Sequence, residues 1–292
     1  MPARPIDVKK LAADFDSRKE RAYTITDLTE MKAEFSRQWG LPRMSQKQFI
    51  EFLLANTKML QMTLKSANYP PLVRFVWGKD TSPLSVALSI KRSAYCSHGT
   101  AMWLHGLGGD GHKLFVNAEQ SEKGDNDSEL TQKAIDGAFR NNQRQSRFIY
   151  KIGDSSVTVL SGKNTGRLEV EERKSPNGEA VPVTSLPRTL VDITVRPVYA
   201  GGAPAVAEAF RRAKGNISAK KVFHILQKLN YIYPYHQAIG FYLKCAGYPP
   251  AEQRVFARNI NLDFYLCHGV KDPAYDKEWR VFVPRELMCA YS

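Results

Sequence analysis

The chain has 292 residues, of which 43% are hydrophobic and 24% are charged. These values are typical of a folded, water-soluble protein and exclude a disordered tail, a fibrous repeat and a coiled-coil rod. No apolar run approaches the roughly 18 residues that a membrane helix needs, and residues 1–7 lack the apolar stretch of a secretory signal. The four cysteines form no CxxC pair, so we expect a cytoplasmic protein with reduced thiols.

Basic residues outnumber acidic ones by 42 to 29, which gives a formal net charge of +13. The excess is greatest in the first third of the chain, where residues 1–92 carry 16 basic and 9 acidic side chains. A basic surface suits nucleic acid, an anionic membrane surface or an acidic protein partner. The order of the structural elements decides among these partners.

The first 80 residues follow the order of a winged helix-turn-helix domain. Apolar residues at helical spacing predict three helices, with caps at Thr26 and Ser45 for the second and third. Gly40 ends the second helix and opens the turn before the third. Alternating runs at 60–65 and 72–77 predict a two-stranded hairpin, joined by a turn-rich tip.

The third predicted helix is the candidate recognition helix. Its buried face centres on Phe49 and Leu53, which leaves Gln48 facing outward and Lys47 at the edge. Gln can pair with adenine in the major groove and Lys can reach guanine or a phosphate, while a wing contacts the DNA backbone. A winged helix that only docks a protein is the alternative interpretation. The predicted DNA contacts are Ser45, Gln46, Lys47, Gln48, Lys65, Ser66, Asn68 and Arg74.

Residues 84–292 are predicted to form a second, larger domain of mixed α/β structure, after the winged helix of residues 1–80. The predicted fold class is therefore α+β. Periodicity leaves residues 190–195 open between a buried strand and a helix. Predicted helices span 84–90, 100–107, 204–214, 218–229 and 235–246, and predicted strands span 148–152, 157–160, 167–172, 262–267 and 279–283.

The histidines and glycines near residue 100 have a structural explanation that is preferred to a chemical one. His98, His105 and His112 are spaced by seven residues, but four glycines interrupt any helix before His112. No carboxylate has the spacing that zinc hydrolases use. The stretch 106–113 lacks the Gly-Lys-Ser/Thr ending of a phosphate-binding loop. No metal and no cofactor are predicted.

Two further groups of residues are singled out in the second half of the chain. Arg188 and Asp192 are four residues apart and can form an ion pair if they lie on a helix. Tyr231, Tyr233 and Tyr235 form an aromatic cluster that suits either a core or an interface, where Tyr is enriched.

An enzymatic function is the alternative: a nuclease or nucleotide-modifying domain tethered to a DNA-binding domain. Glu169 and Glu171 alternate onto one face of a predicted strand, and Asp154 and Lys174 complete a degenerate nuclease set. Such carboxylates would bind Mg²⁺. Because charges alternate in the same way on any exposed strand, we expect a protein that is not an enzyme. An adaptor that binds only proteins is a third possibility, distinguished by the absence of DNA binding.

Four stretches, in this order after the predicted winged helix, together resemble the AbiEi family, the antitoxins and transcriptional regulators of type IV toxin–antitoxin systems. The resemblance implies an N-terminal winged helix that represses its own operon by binding inverted repeats in double-stranded operator DNA. It also implies a C-terminal domain that counteracts a nucleotidyltransferase toxin encoded beside it, without enzymatic activity of its own. The stretches are 95–107 (YCSHGTAMWLHGL), 184–193 (TSLPRTLVDI), 196–202 (RPVYAGG) and 233–241 (YPYHQAIGF).

Overall fold

The computed structural model describes residues 6–121 and 129–290, the last two of these by their backbone alone. The first five residues, and part of the polar stretch that follows Glu119, lie outside the described residues. The helices are α1 (Val8–Ser17), α2 (Ile25–Phe35), α3 (Gln46–Asn56), α4 (Pro83–Leu88), α5 (His98–Leu104), α6 (Gln132–Phe139), α7 (Leu186–Val195), α8 (Ala203–Ala213), α9 (Ala219–Leu229), α10 (Tyr235–Cys245), α11 (Pro250–Gln253) and α12 (Arg285–Ala290). The strands are β1 (Ala22–Tyr23), β2 (Met59–Leu64), β3 (Leu72–Trp77), β4 (Tyr95–Cys96), β5 (Lys113–Glu119), β6 (Ile149–Ile152), β7 (Ser155–Gly162), β8 (Val170–Lys174), β9 (Ala180–Thr184), β10 (Phe264–Tyr265), β11 (Pro273–Asp276) and β12 (Val281–Pro284).

The N-terminal segment packs α1, α2 and α3 against an antiparallel sheet of order β1-β3-β2. Its core is aromatic: the ring of Phe15 stacks on Trp39 and on Trp77, with centroid distances of 5.9 and 4.6 Å. Such aromatic pairs contribute both buried area and a defined ring geometry. Helices and strands occur here in the order that the sequence predicts.

One predicted helix start in this segment is wrong. Helix α2 is capped by Thr24 and not by Thr26, because Asp27 lies three residues after Thr24 and completes a capping box. The Thr24 hydroxyl accepts from the Asp27 backbone N–H, and the Asp27 carboxylate accepts from the Thr24 N–H. Two backbone donors that the helix leaves unpaired are thereby satisfied.

A six-stranded mixed sheet of order β6-β7-β5-β4-β9-β8 follows. Strands β5 and β7 run parallel, as do β4 and β9, and the other neighbours are antiparallel. Strands β5 and β9 were not predicted from the sequence. The β6–β7 hairpin forms one edge of this sheet and β8 forms the other.

Helices α7 to α10 pack together around a large apolar core, with the small sheet β10-β12-β11 beside them. Residues 190–195, which the sequence leaves open, are part of helix α7. The predicted strands at 262–267 and 279–283 contain β10 and most of β12, and these two strands pair in parallel. Gly240 in α10 lies directly against the ring of Trp279, which is 2% exposed.

Apolar side chains from both sides of the predicted domain boundary pack into one cluster. Leu64 and Val76 of the first hairpin share this cluster with Leu84 of α4, with Ile90 and with side chains of the central sheet. The division at residues 80–84 stays a prediction. The fold as a whole is mixed α/β with several separate sheets, which is compatible with the α+β class. Within the described ranges, no helix is long and apolar enough to cross a bilayer.

Candidate nucleic-acid interface

The start of helix α3 is fixed by its own side chains. The Ser45 hydroxyl accepts from the Gln48 N–H at 3.2 Å, and Gln48 Oε1 accepts from the Ser45 N–H at 2.8 Å. This confirms Ser45 as the cap. A paired contact with adenine uses both the oxygen and the nitrogen of a Gln amide. Gln48 would have to leave the cap to make that contact.

The remaining two predicted contacts on α3 differ in exposure. The Lys47 side chain is 85% exposed, and its Nζ lies 3.9 Å from Glu51 Oε1. Because exposed pairs at this distance contribute little, Lys47 is free to reach a phosphate. Both amide atoms of Gln46 are buried and have no hydrogen-bond partner among the described residues. The prediction that Gln46 contacts DNA is therefore wrong for this conformation, since its polar end faces protein.

The tip of the β2–β3 hairpin is anchored on the central sheet. The Lys65 carbonyl accepts from the Lys151 N–H at 2.9 Å, and the Pro70 carbonyl accepts from the Tyr150 hydroxyl at 2.9 Å. Asn68 Nδ2 donates to the Arg147 carbonyl at 3.4 Å. Inside the turn, the Ser66 hydroxyl accepts from the Asn68 N–H at 3.2 Å, a local turn motif typical of Ser. These contacts fix the position of the tip.

The anchored tip and the central sheet together form a positively charged surface. We call Lys65, Asn68, Arg147 and Lys151 the hairpin-tip surface; all four are exposed. Lys65 and Lys151 lie directly opposite each other in an antiparallel bridge, so their side chains share a face, and like charges placed in this way destabilise a sheet. In the described part of the chain, none of the three cations lies within 4.0 Å of a carboxylate oxygen. The surface is thus chemically suited to an anion.

Arg74 is not part of this surface, and the prediction that it contacts DNA is wrong. It lies on β3 with 6% of its area exposed. Its Nε donates to the carbonyl of Ser89 at 3.2 Å, and its Nη2 donates to the carbonyl of Ile90 at 3.3 Å. Burial lowers the pKa of Arg74. Side chains alternate between the two faces of β3, and Arg74 lies on the face that the segment after α4 covers. Its hydrogen bonds therefore hold the hairpin to that segment.

The carboxylates of the nuclease alternative do not meet. Asp154 lies in the β6–β7 turn at one edge of the sheet, whereas Glu171 is on β8 at the opposite edge. Glu169 pairs with Lys221 at 3.0 Å and accepts from the Ser185 hydroxyl at 2.8 Å. No group of three potential metal ligands occurs among residues 6–121 and 129–290. Asp154 is therefore not part of one site with Glu171.

The three histidines are also separate. His98 is 8% exposed and contacts the Ser97 hydroxyl at 2.9 Å; burial lowers its pKa to about 3. His105 Nε2 lies 2.8 Å from the carbonyl of Thr184, and His112 is exposed. The structural explanation fits His98 and His105, whose ring nitrogens contact protein groups.

Sequence reasoning missed the contribution of β6 to the hairpin-tip surface. Arg147 lies 82 residues after Lys65 in the sequence, and no local pattern relates the two.

The predicted Arg188–Asp192 ion pair is confirmed: the two side chains are 4% and 5% exposed, with Nε and Oδ1 2.7 Å apart.

Comparison with known proteins supports the fold alone. No family model matches the chain, and no curated protein matches it. Among solved structures, it is similar to the crystal structure of the Rv2827c protein from Mycobacterium tuberculosis, with a TM-score of 0.54 and 12% identity. The similarity covers 97% of this chain and 94% of that chain, so the two share their architecture over nearly the full length.

Proposed function

We propose that this chain is a DNA-binding transcriptional regulator whose N-terminal segment, residues 1–80, acts as a winged helix. The order of three helices and a hairpin, with a third strand completing the sheet, supports this assignment. In it, α3 enters the major groove and the β2–β3 hairpin is the wing. Lys47 contacts phosphate or guanine, and the cap residues Ser45 and Gln48 lie at the groove edge.

The observation that carries the proposal is the paired, un-neutralised charge of the hairpin-tip surface. Lys65 and Lys151 face each other without a carboxylate in reach among the described residues. A neutral pair or a pair of opposite charges at this bridge would stabilise the sheet more. A phosphate backbone seated across the two lysines and Arg147 offsets that repulsion, and such contacts position a DNA-binding domain.

We further propose that the regulator is the antitoxin of a type IV toxin–antitoxin system. The support is the resemblance of four stretches to the AbiEi family, three of which overlap α5, α7 and α10. In this role the chain represses its own operon by binding inverted repeats, and residues 84–292 counteract a nucleotidyltransferase toxin without catalysing a reaction.

Binding is tested by fluorescence anisotropy with the DNA immediately upstream of the chain's own gene and scrambled DNA as competitor. A complex that survives the competitor is expected. Equal, weak binding to both DNAs would contradict a sequence-specific regulator.

The antitoxin role is tested separately, by co-expressing the chain with a nucleotidyltransferase encoded beside it and measuring growth. Rescue is expected, and it should persist when Lys65 and Lys151 are both replaced by Ala. Growth arrest that the wild-type chain does not relieve would refute the antitoxin role and leave the regulator proposal standing.

A further inference from the structure

A second polar site lies away from the hairpin-tip surface, in a cleft of about 420 Å³ beside α7. Its floor contains the ion pair of Arg188 and Asp192. Arg188 Nη1 also donates to the carbonyl of Leu168 at 2.8 Å, so this guanidinium is held from two sides. A volume of this size is within the range of small-molecule sites, about 300–1,000 Å³.

The floor includes a buried carboxylate oxygen without a hydrogen-bond partner in the described part of the chain. Asp192 Oδ1 accepts from Arg188, but Oδ2 is buried and has no hydrogen-bond donor among the described residues. On another wall of the same cleft, the amide oxygen of Gln143 is buried and also unpartnered, while its Nε2 donates to the carbonyl of Val195. Leaving buried acceptors unpaired is costly. Two such acceptors in one cleft call for an occupant with hydrogen-bond donors.

The rim of the cleft carries the opposite chemistry. Arg144 and Lys163 are exposed and Arg196 is half-buried, and all three line the opening. No carboxylate of the described ranges forms an ion pair with any of them. Lys163 Nζ donates to the carbonyls of Leu229 and Asn230, at 3.2 Å each. Three cations that line one cleft without carboxylate partners among the described residues are suited to a phosphate.

Aromatic side chains form a further wall. Tyr231, Tyr233 and Tyr235 all line the cleft, and the rings of Tyr231 and Tyr235 meet edge to face at 5.6 Å. A planar heterocycle packs well on such rings. The site therefore offers acceptors on the floor, aromatic faces on one side and positive charge at the opening.

We propose that this cleft binds a nucleoside phosphate. The phosphate lies at the rim between Arg144, Lys163 and Arg196, and the base packs against the tyrosines. Amino, imino or hydroxyl donors of the base and ribose pair with Asp192 Oδ2 and Gln143 Oε1. This inference does not depend on DNA binding, because the residues involved are outside residues 1–80 and the hairpin-tip surface.

The test is isothermal titration of the full chain with AMP, GMP, CMP and UMP, each beside its nucleoside and inorganic phosphate alone. At least one nucleotide should bind about tenfold or more tightly than its nucleoside and than phosphate. If inorganic phosphate binds as tightly as every nucleotide, the cleft recognises only an anion, and the proposal is overturned. No heat with any nucleotide would overturn it as well.

Variants then place the binding in this cleft. Replacing Arg144 and Lys163 by Ala should weaken nucleotide binding about tenfold or more, since each removes a charged contact, and should leave the nucleoside unaffected. The matched control replaces Arg140 and Lys220, an exposed Arg and an exposed Lys that do not line the cleft. Asp192→Asn should weaken both nucleotide and nucleoside. Equal affinity in the control and the rim variant would refute the assignment to this cleft.

Discussion

Substituting Gly240 by Ala tests how the last strands dock on helix α10. A Cβ at Gly240 would approach the ring of Trp279 closer than 3.0 Å, a separation that real Cβ atoms essentially never show. The ring cannot easily retreat, because Trp279 is 2% exposed and its carbonyl and N–H are held by Gln237 and Asp276. The added methyl group must therefore displace packed side chains of the core.

The magnitude follows from two opposing effects. Replacing Gly by Ala inside a helix stabilises it by about 1 kcal/mol, whereas overpacking a core costs about 1–3 kcal/mol and occasionally more. With a rigid indole in the way, we place the cost at the upper end, so that the net loss is about 2 kcal/mol. In a chain of this size, with about 2.1 cal/mol/K of unfolding entropy per residue, that lowers Tm by about 3 °C.

Gly137→Ala is the matched control. Gly137 is also helical, in α6, but it is exposed and nothing lies within 4 Å of its added Cβ. The same substitution there should raise stability by up to about 1 kcal/mol. Thermal unfolding of the two variants and the wild-type chain measures both the expected decrease in Tm for Gly240→Ala and the expected increase for Gly137→Ala. An unchanged or higher Tm for Gly240→Ala would refute the packing of Trp279 on α10.

Three further predictions concern charge and hydrogen bonding. Arg188→Ala leaves the buried Asp192 carboxylate without its partner and should cost about 3–5 kcal/mol, as measured by urea unfolding; a loss below about 1 kcal/mol would contradict a buried pair. The pKa of His98 is about 3 in the folded protein and near its usual value when the chain is unfolded. The free energy of unfolding therefore has its full value, as far as His98 is concerned, above about pH 6.5, and it decreases as pH falls toward 3. Asn tolerates the positive φ of 48° at this position, and His98→Asn should make the decrease in Tm between about pH 7 and pH 5 smaller than in the wild-type chain. An equal decrease in the two proteins would contradict this. Tyr150→Phe removes the hydroxyl that holds Pro70; we expect a loss of about 1 kcal/mol in stability and weaker DNA binding, and unchanged affinity would show that the tip needs no anchor.

Local patterns were enough to predict much of the N-terminal segment. The Ser45 cap, the buried face of α3 and the two hairpin strands all follow from residues close together in sequence. The cap was predicted at Thr26, but a capping box needs an acidic residue three positions later, and Asp27 has that spacing from Thr24. Local chemistry thus sets these elements to within about two residues.

Long-range pairing accounts for the errors that affect the interface. Arg74 was expected to face DNA, but the segment after α4 covers that face of β3 and accepts its hydrogen bonds. Lys151 was not considered, because its pairing with Lys65 joins two hairpins that are distant in sequence. Strands β5 and β9 are inner strands of the central sheet, where a short apolar run gives no clear period.

The salt dependence of DNA affinity tests the central claim most directly. Lys65, Arg147 and Lys151 are replaced together by Ala, and the control replaces Arg258, Lys271 and Lys277, exposed residues with the same charges elsewhere in the chain. Affinity for the upstream DNA is measured between about 50 and 200 mM salt, where each phosphate contact contributes about 0.9 to the slope of log affinity against log salt. Our account predicts a slope smaller by about 2.7 for the hairpin-tip variant and the wild-type slope for the control. Equal slopes in the two variants would contradict DNA binding through the hairpin-tip surface.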